Sequence, residues 1–111
     1  MRSDIVFKKE DTKAETPTNK RFVGHLGYIW ALLNWKNRFI LSGGRDKTLR
    51  VWNIEGEEIL KIEPHSNSIL DIIQVGENQL ATCSRDKQII VHEFKENEMQ
   101  MKEVCRWSPN P

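Results

Sequence analysis

His25, Ser42 and Asp46 carry the three functional groups of a nucleophilic triad: an imidazole base, a hydroxyl, and a carboxylate to orient the base. The same kinds of group return as His65, Thr82 and Asp86, each 40 residues after its counterpart. A hydrolase needs one such constellation, whereas a repeated scaffold needs one per unit. The recurrence in register therefore argues against catalysis, and no catalytic residue is expected. No Gly-x-Ser-x-Gly elbow, phosphate-binding loop or metal-ligand helix accompanies the set. The groups still need one another: a buried imidazole, hydroxyl and carboxylate that satisfy each other avoid about 1–3 kcal/mol for every unpaired polar group. Cys83 and Cys105, 22 residues apart, have neither disulfide-framework nor zinc-site spacing, and Cys83 in LATCS reads as a small buried hydrophobe. No metal and no cofactor are expected.

The elements that must position these side chains are short strands. SGGRDKTLRVWNI at 42–54 returns as TCSRDKQIIVHEF at 82–94, and Gly24-His25 and Pro64-His65 precede the two copies. Residues 28–33, 38–42 and 48–54 are β-branched or aromatic and separated by the turn-rich NWKN and GGRDK. The same order returns at 68–75, 79–83 and 88–94. FIL and QIIV are nearly continuous in apolar content, which for strands predicts burial on both faces. EEILKI at 57–62 and EMQMKEV at 98–104 are more polar, as suits an edge that must resist further pairing. Upstream, SDIVFKK at 3–9 resembles the third strand of a unit and KRFV at 20–23 the fourth, with a polar surface loop expected at 10–19. A period of about 40–45 residues in strand-rich units predicts an all-β fold of four-stranded antiparallel propeller blades. The divisions are a half blade at 1–24, repeats at 25–64 and 65–104, and a C-terminal tail at 105–111. About two and a half blades result, an incomplete propeller.

The pattern GH followed by LSGGRDKTLRVWN resembles the WD-repeat β-propeller family over essentially the whole chain. The resemblance implies a hydrogen-bonded structural tetrad, here His25, Ser42, Asp46 and Trp52. The second repeat keeps His65, Thr82 and Asp86 but has His92 in the tryptophan's place, so its set is expected to be degraded. Asn53 replaces the aspartate of the name-giving dipeptide. The resemblance also implies a partner-binding face at Tyr28, Trp30 and Arg45 in the first repeat and Ser68, Leu70 and Arg85 in the second. Tyr, Trp and Arg are the types enriched at binding hot spots. The alternatives are that Tyr28 and Trp30 pack between blades and that both arginines are solvated turn residues. Asp71 in ILDII is expected to face a solvated channel. Trp35 either marks a second contact surface or shields a blade edge, the latter being favoured, and Trp107 resembles the start of an unfinished strand.

Seventeen basic and sixteen acidic residues in 111, with signs interspersed, give a formal charge of +1 and imply neither a nucleic-acid nor a membrane partner. The charged start MRSDIVFKKEDTK is unlike a signal peptide, and no apolar run approaches the roughly 20 residues of a membrane span. The expectation is an intracellular, cytoplasmic protein, with the nucleus not excluded. Its expected role is that of a noncatalytic scaffold that binds other proteins. The alternative is a structural fragment completed by further blades of the same protein or another chain. In either case exposed blade faces predict self-association.

Overall fold

A computed structural model describes residues 2–8 and 19–108, with side chains from residue 24 onward. Ten strands and no helix make up the described residues. β1 (Arg2–Lys8) and β2 (Asn19–Leu26) form an antiparallel pair. β3 (Ile29–Trp35), β4 (Phe39–Gly44), β5 (Leu49–Asn53) and β6 (Glu58–Ile62) follow as one meander, ordered as in the chain. β7 (Ile69–Gln74), β8 (Gln79–Ser84), β9 (Ile89–Lys95) and β10 (Gln100–Trp107) repeat it. Most of the loop expected at 10–19 lies outside the described residues, as do residues 109–111 of the tail. β10 continues through Cys105–Trp107, which the repeat arithmetic assigns to the tail; a bulge between Glu103 and Cys105 carries the pairing onward.

The two four-stranded sheets are blades packed face to face. Ala31, Trp35, Leu41, Leu49 and Val51 of the first form one core with Ile69, Ile72, Leu80 and Phe94 of the second. Gly43 makes the approach possible: a Cβ there would stand 2.6 Å from the Ile69 side chain. The first blade's opposite face buries Ile40 and Trp52. Burial on both faces is why β4 and β5 lack polar alternation. The second blade's outer face is open, leaving Ile73, Val75 and Ile89 exposed. Trp35 forms no contact surface. It is fully buried between the blades, edge-on to Phe94 at 5.6 Å between ring centroids. Its indole N–H donates to Glu96 Oε2 at 2.7 Å, and Arg38 Nη2 donates to the other oxygen at 2.6 Å. Lys36 reaches Asn78 at 3.0 Å, so the far ends of the blades are tied together by polar contacts as well as by the core.

Candidate partner-binding site

The β4–β5 turn begins the site. Lys47 N–H donates to Gly44 C=O at 3.1 Å, and Lys47 completes the turn in the left-handed region at φ 70°. Asp46 is thereby aimed back across the loop between β2 and β3. Its carboxylate accepts from Leu26 N–H at 3.0 Å, Thr48 N–H at 3.2 Å and the Thr48 hydroxyl at 2.8 Å, and lies 3.1 Å from His25 Nδ1. A short aspartate at a turn can satisfy backbone donors on both sides, which stitches loop to turn. The β8–β9 turn repeats the arrangement. Lys87 bonds Ser84 at 3.1 Å with φ 69°, and Asp86 accepts from Ser66 N–H at 3.0 Å and Gln88 N–H at 2.9 Å, with His65 Nδ1 at 3.0 Å.

Behind each aspartate runs a directional chain of hydrogen bonds. Burial is the largest influence on His25 and holds its pKa below the ordinary 6.5 despite Asp46, so the ring is neutral at pH 7. Nδ1–H then donates to Asp46, and Nε2 accepts the Ser42 hydroxyl at 2.6 Å. Ser42 Oγ in turn accepts Trp52 Nε1–H at 2.8 Å. Burial also pushes the Asp46 carboxyl upward, but the Leu26, Thr48 and His25 donors outweigh it and leave the pKa below 3.8. Ser42 is fully buried and bonded at both sides, so its hydroxyl is not presented to a substrate.

In the second blade the set is closed rather than degraded, a correction to the sequence expectation. His65 Nε2 lies 2.8 Å from Thr82 Oγ1, and His92 Nε2 completes the chain at 3.1 Å from the same oxygen. Burial, chiefly, lowers the His92 pKa to about 4, so the ring is neutral and its Nε2–H serves as the indole N–H does in the first blade. An imidazole replaces an indole because the position requires one N–H donor at a buried hydroxyl, and both rings supply it.

These turns and loops build a groove. Its cavity is about 360 Å³ and is lined by Tyr28, Trp30, Arg45, Ser68, Leu70 and Arg85. Two features bring them together. Arg45 N–H donates to Tyr28 C=O at 2.8 Å and Arg85 N–H to Ser68 C=O at 3.0 Å, which sets each arginine beside the start of its blade's inner strand. Gly44 permits the first of these crossings, since a Cβ there would stand 2.3 Å from Tyr28 C=O. The ladder then shifts register between Ile29 and Ala31 and again between Ile69 and Asp71, so Trp30 and Leu70 are the extra residues of two matching bulges. A bulge re-aims a side chain. Trp30 is 53% exposed and Tyr28 52%, with ring centroids 5.6 Å apart, and Leu70 is 43% exposed. Ser68 differs from the other five in being only 6% exposed, at the groove's floor.

Three contributions are absent from the sequence reading. Arg50 is buried and bridges Glu58 at 2.7 Å to the Thr48 hydroxyl at 3.1 Å, with Asp46 at 3.4 Å. Ile90 holds its place in the second repeat, so the repeat itself gave no signal. Glu96 is held below its ordinary pKa because donors from Trp35 and Arg38 outweigh burial. His92 had a signal, a donor-bearing ring at the tryptophan position. Asp71 is exposed on β7 and Trp107 is exposed at the end of β10. Cys83 and Cys105 are both free thiols, and burial and Asp71 push the Cys83 thiol up, away from reactivity.

The family described as WD domain, G-beta repeat matches residues 16–53. Among curated proteins, the SIR4-interacting protein SIF2 of Saccharomyces cerevisiae is 35% identical over 75% of this chain and 16% of its own length. The U5 small nuclear ribonucleoprotein 40 kDa protein of Dictyostelium discoideum is 29% identical over 88% of this chain and 28% of its own. Elongator complex protein 2 of Schizosaccharomyces pombe is 27% identical over 81% and 13%. The chain thus spans under a third of each of these relatives. The crystal structure of Sqt1 from Saccharomyces cerevisiae shares the fold at a TM-score of 0.64, covering 74% of this chain and 23% of that one at 15% identity. With its 40-residue period, its two four-stranded blades and these likenesses, the chain belongs to the WD-repeat β-propeller family.

Proposed function

We propose that this chain is a noncatalytic protein-interaction scaffold, which presents the groove between its two blades to another protein within an intracellular complex. One observation carries the reading: six residues from segments 40 positions apart line a single groove, an aromatic pair and two arginines among them. Rigid sheets hold the contributing loops in place, so little ordering entropy is lost on binding. The names of the relatives lend support, since one is called an interacting protein and two are named as parts of assemblies. The compartment would be the cytoplasm or the nucleus, and the units presented to a partner would be the repeats at 25–64 and 65–104. The test is co-purification from cell lysate with wild type and a Trp30→Ala/Arg45→Ala double variant, matched by circular dichroism. Selective loss of partners with the variant is expected; retention of every specific partner would move the binding face elsewhere.

A second reading, completion by further blades, rests on the open face of the second blade. Ile73, Val75 and Ile89 are exposed there, whereas the first blade buries Trp35 and Leu49 40 positions before Val75 and Ile89. Apolar sheet faces of this kind are seldom left uncovered. Sedimentation equilibrium distinguishes the two readings: concentration-dependent association favours completion, and a monodisperse monomer that unfolds cooperatively refutes it.

A further inference from the structure

The two turns that frame the groove carry more positive charge than they neutralise. Arg45, Lys47, Arg85 and Lys87 are all exposed, against Asp46 and Asp86. Those two carboxylates are turned inward, onto His25 and His65 and the backbone N–H groups of Leu26 and Ser66. Arg50, Arg38 and Arg106 each have an acidic partner, but among the described residues no acidic side chain lies within ion-pair reach of Arg45 or Arg85. Each guanidinium is a planar fork of donors suited to a carboxylate. Trp30, Tyr28 and Leu70 line the same groove as these arginines and are exposed, and Trp30 and Leu70 are the extra residues of the paired bulges.

We infer that the groove's occupant is an acidic peptide segment carrying a large apolar side chain, which seats on Trp30, Tyr28 and Leu70 while its carboxylates bond Arg45 and Arg85. This rests on the interaction-scaffold reading above. A cavity of about 360 Å³ accommodates one or two side chains and not a folded domain, which is the scale of peptide-in-groove recognition. A nucleic acid would also stack on the aromatics and pair with arginine, but it needs a basic track along its backbone. The interspersed charges and the overall +1 do not supply one. Lys47 and Lys87 strengthen the field that steers an acidic segment toward the groove.

The experiment selects a phage-displayed random 12-residue peptide library on the immobilised full chain. In parallel it measures binding of a labelled single-stranded 12-nucleotide oligonucleotide. Enriched peptides are expected to be net acidic with at least one aromatic or large aliphatic residue. They should lose about tenfold or more in affinity on Trp30→Ala and on Arg45→Glu/Arg85→Glu. The charge-reversed variant should in turn select basic peptides, a rescue that misfolding would not produce. Enrichment of neutral or basic peptides by wild type, with loss on Trp30→Ala, overturns the acidic partner while leaving the binding face intact. Peptides that bind the Trp30→Ala and charge-reversed variants as tightly as wild type overturn the face itself. Failure to enrich any peptide, or tighter binding of the oligonucleotide, overturns peptide recognition by the groove.

Discussion

Thr82→Val is nearly isosteric, so its effect on folding isolates one hydroxyl. Thr82 Oγ1 is bonded to His65 Nε2 at 2.8 Å and to His92 Nε2 at 3.1 Å, and all three residues are buried. Removing it strands two ring nitrogens, each at about 1–3 kcal/mol, for a total of roughly 2–6 kcal/mol. His92→Phe removes one of the two in advance. In that background Thr82→Val should cost only about 1–3 kcal/mol, leaving a coupling energy of similar size. Urea unfolding of the four proteins of the cycle measures it. Additivity to within about 0.5 kcal/mol would refute the assignment of His92 as the donor that closes the second set. The same variant has a pH signature. The His92 pKa is about 4 in the folded chain against 6.5 for the unmodified group. Below pH 6.5 the unfolded state therefore takes up a proton that the native ring refuses. The associated stability is fully present above pH 6.5, declines as pH falls, and is lost by about pH 4. The difference corresponds to about 3 kcal/mol. His92→Phe should flatten that decline, with a residual slope from His25, whose pKa is also lowered. An unchanged slope would mean that His92 is not buried as a neutral donor.

Other consequences can be tested by the same unfolding assay. Asp46→Ala should destabilise more than Asp86→Ala, by about 1–3 kcal/mol. The reason is not that the second set lacks its fourth member but that Asp46 alone also accepts from a threonine hydroxyl and faces a buried arginine. Equal losses would refute this. Lys87→Gly should stabilise by about 0.5–1 kcal/mol, because φ 69° is a conformation in which only glycine is unstrained; a destabilised variant would show that the lysine side chain contributes more than its backbone costs. Gly43→Ala should destabilise by about 1–3 kcal/mol through its contact with Ile69. Ile69→Ala, which removes the Cγ2 methyl that the new Cβ would meet, should cost less in the Gly43→Ala chain than in the wild type, and strict additivity of the two losses would place the strain elsewhere.

The blade pattern was legible because repetition supplies an internal control. One triad-like set is ambiguous, but the same set 40 residues later identifies a scaffold, and the turn residues Gly44–Lys47 and Ser84–Lys87 mark where each hairpin must reverse. What could not be read was whatever the repeat does not share. Arg50 has no counterpart in the second blade, and Trp35 looked like a turn residue because NWKN is rich in turn formers. The structure instead places Trp35 in β3, with the turn one residue later, so its indole points between the blades. At position 92 the change of residue type conceals that the one property the position demands, a single buried N–H donor, is kept. The bulges were invisible for a different reason. A register shift leaves composition and periodicity unchanged, yet it alone decides that Trp30 and Leu70 face outward.

That last point ties the scaffold to the surface it presents. Asp46 bonds the backbone of Leu26, two residues before Tyr28, and Arg45 N–H bonds Tyr28 C=O itself. Asp86 and Arg85 do the same through Ser66 and Ser68. The buried chain of imidazole, hydroxyl and ring N–H thus anchors the inner end of each turn, and the groove residues occupy the outer end of the same backbone. Substitutions at Tyr28, Trp30, Leu70, Arg45 or Arg85 remove exposed side chains and leave that anchor in place, so they should alter binding with little change in stability. Substitutions at Asp46 or Asp86 release the anchor, so they should lower stability and blur the groove together. Binding that survives Asp46→Ala at a concentration of urea too low to unfold the chain would show that the bulges, rather than the turns, hold the recognition surface in shape.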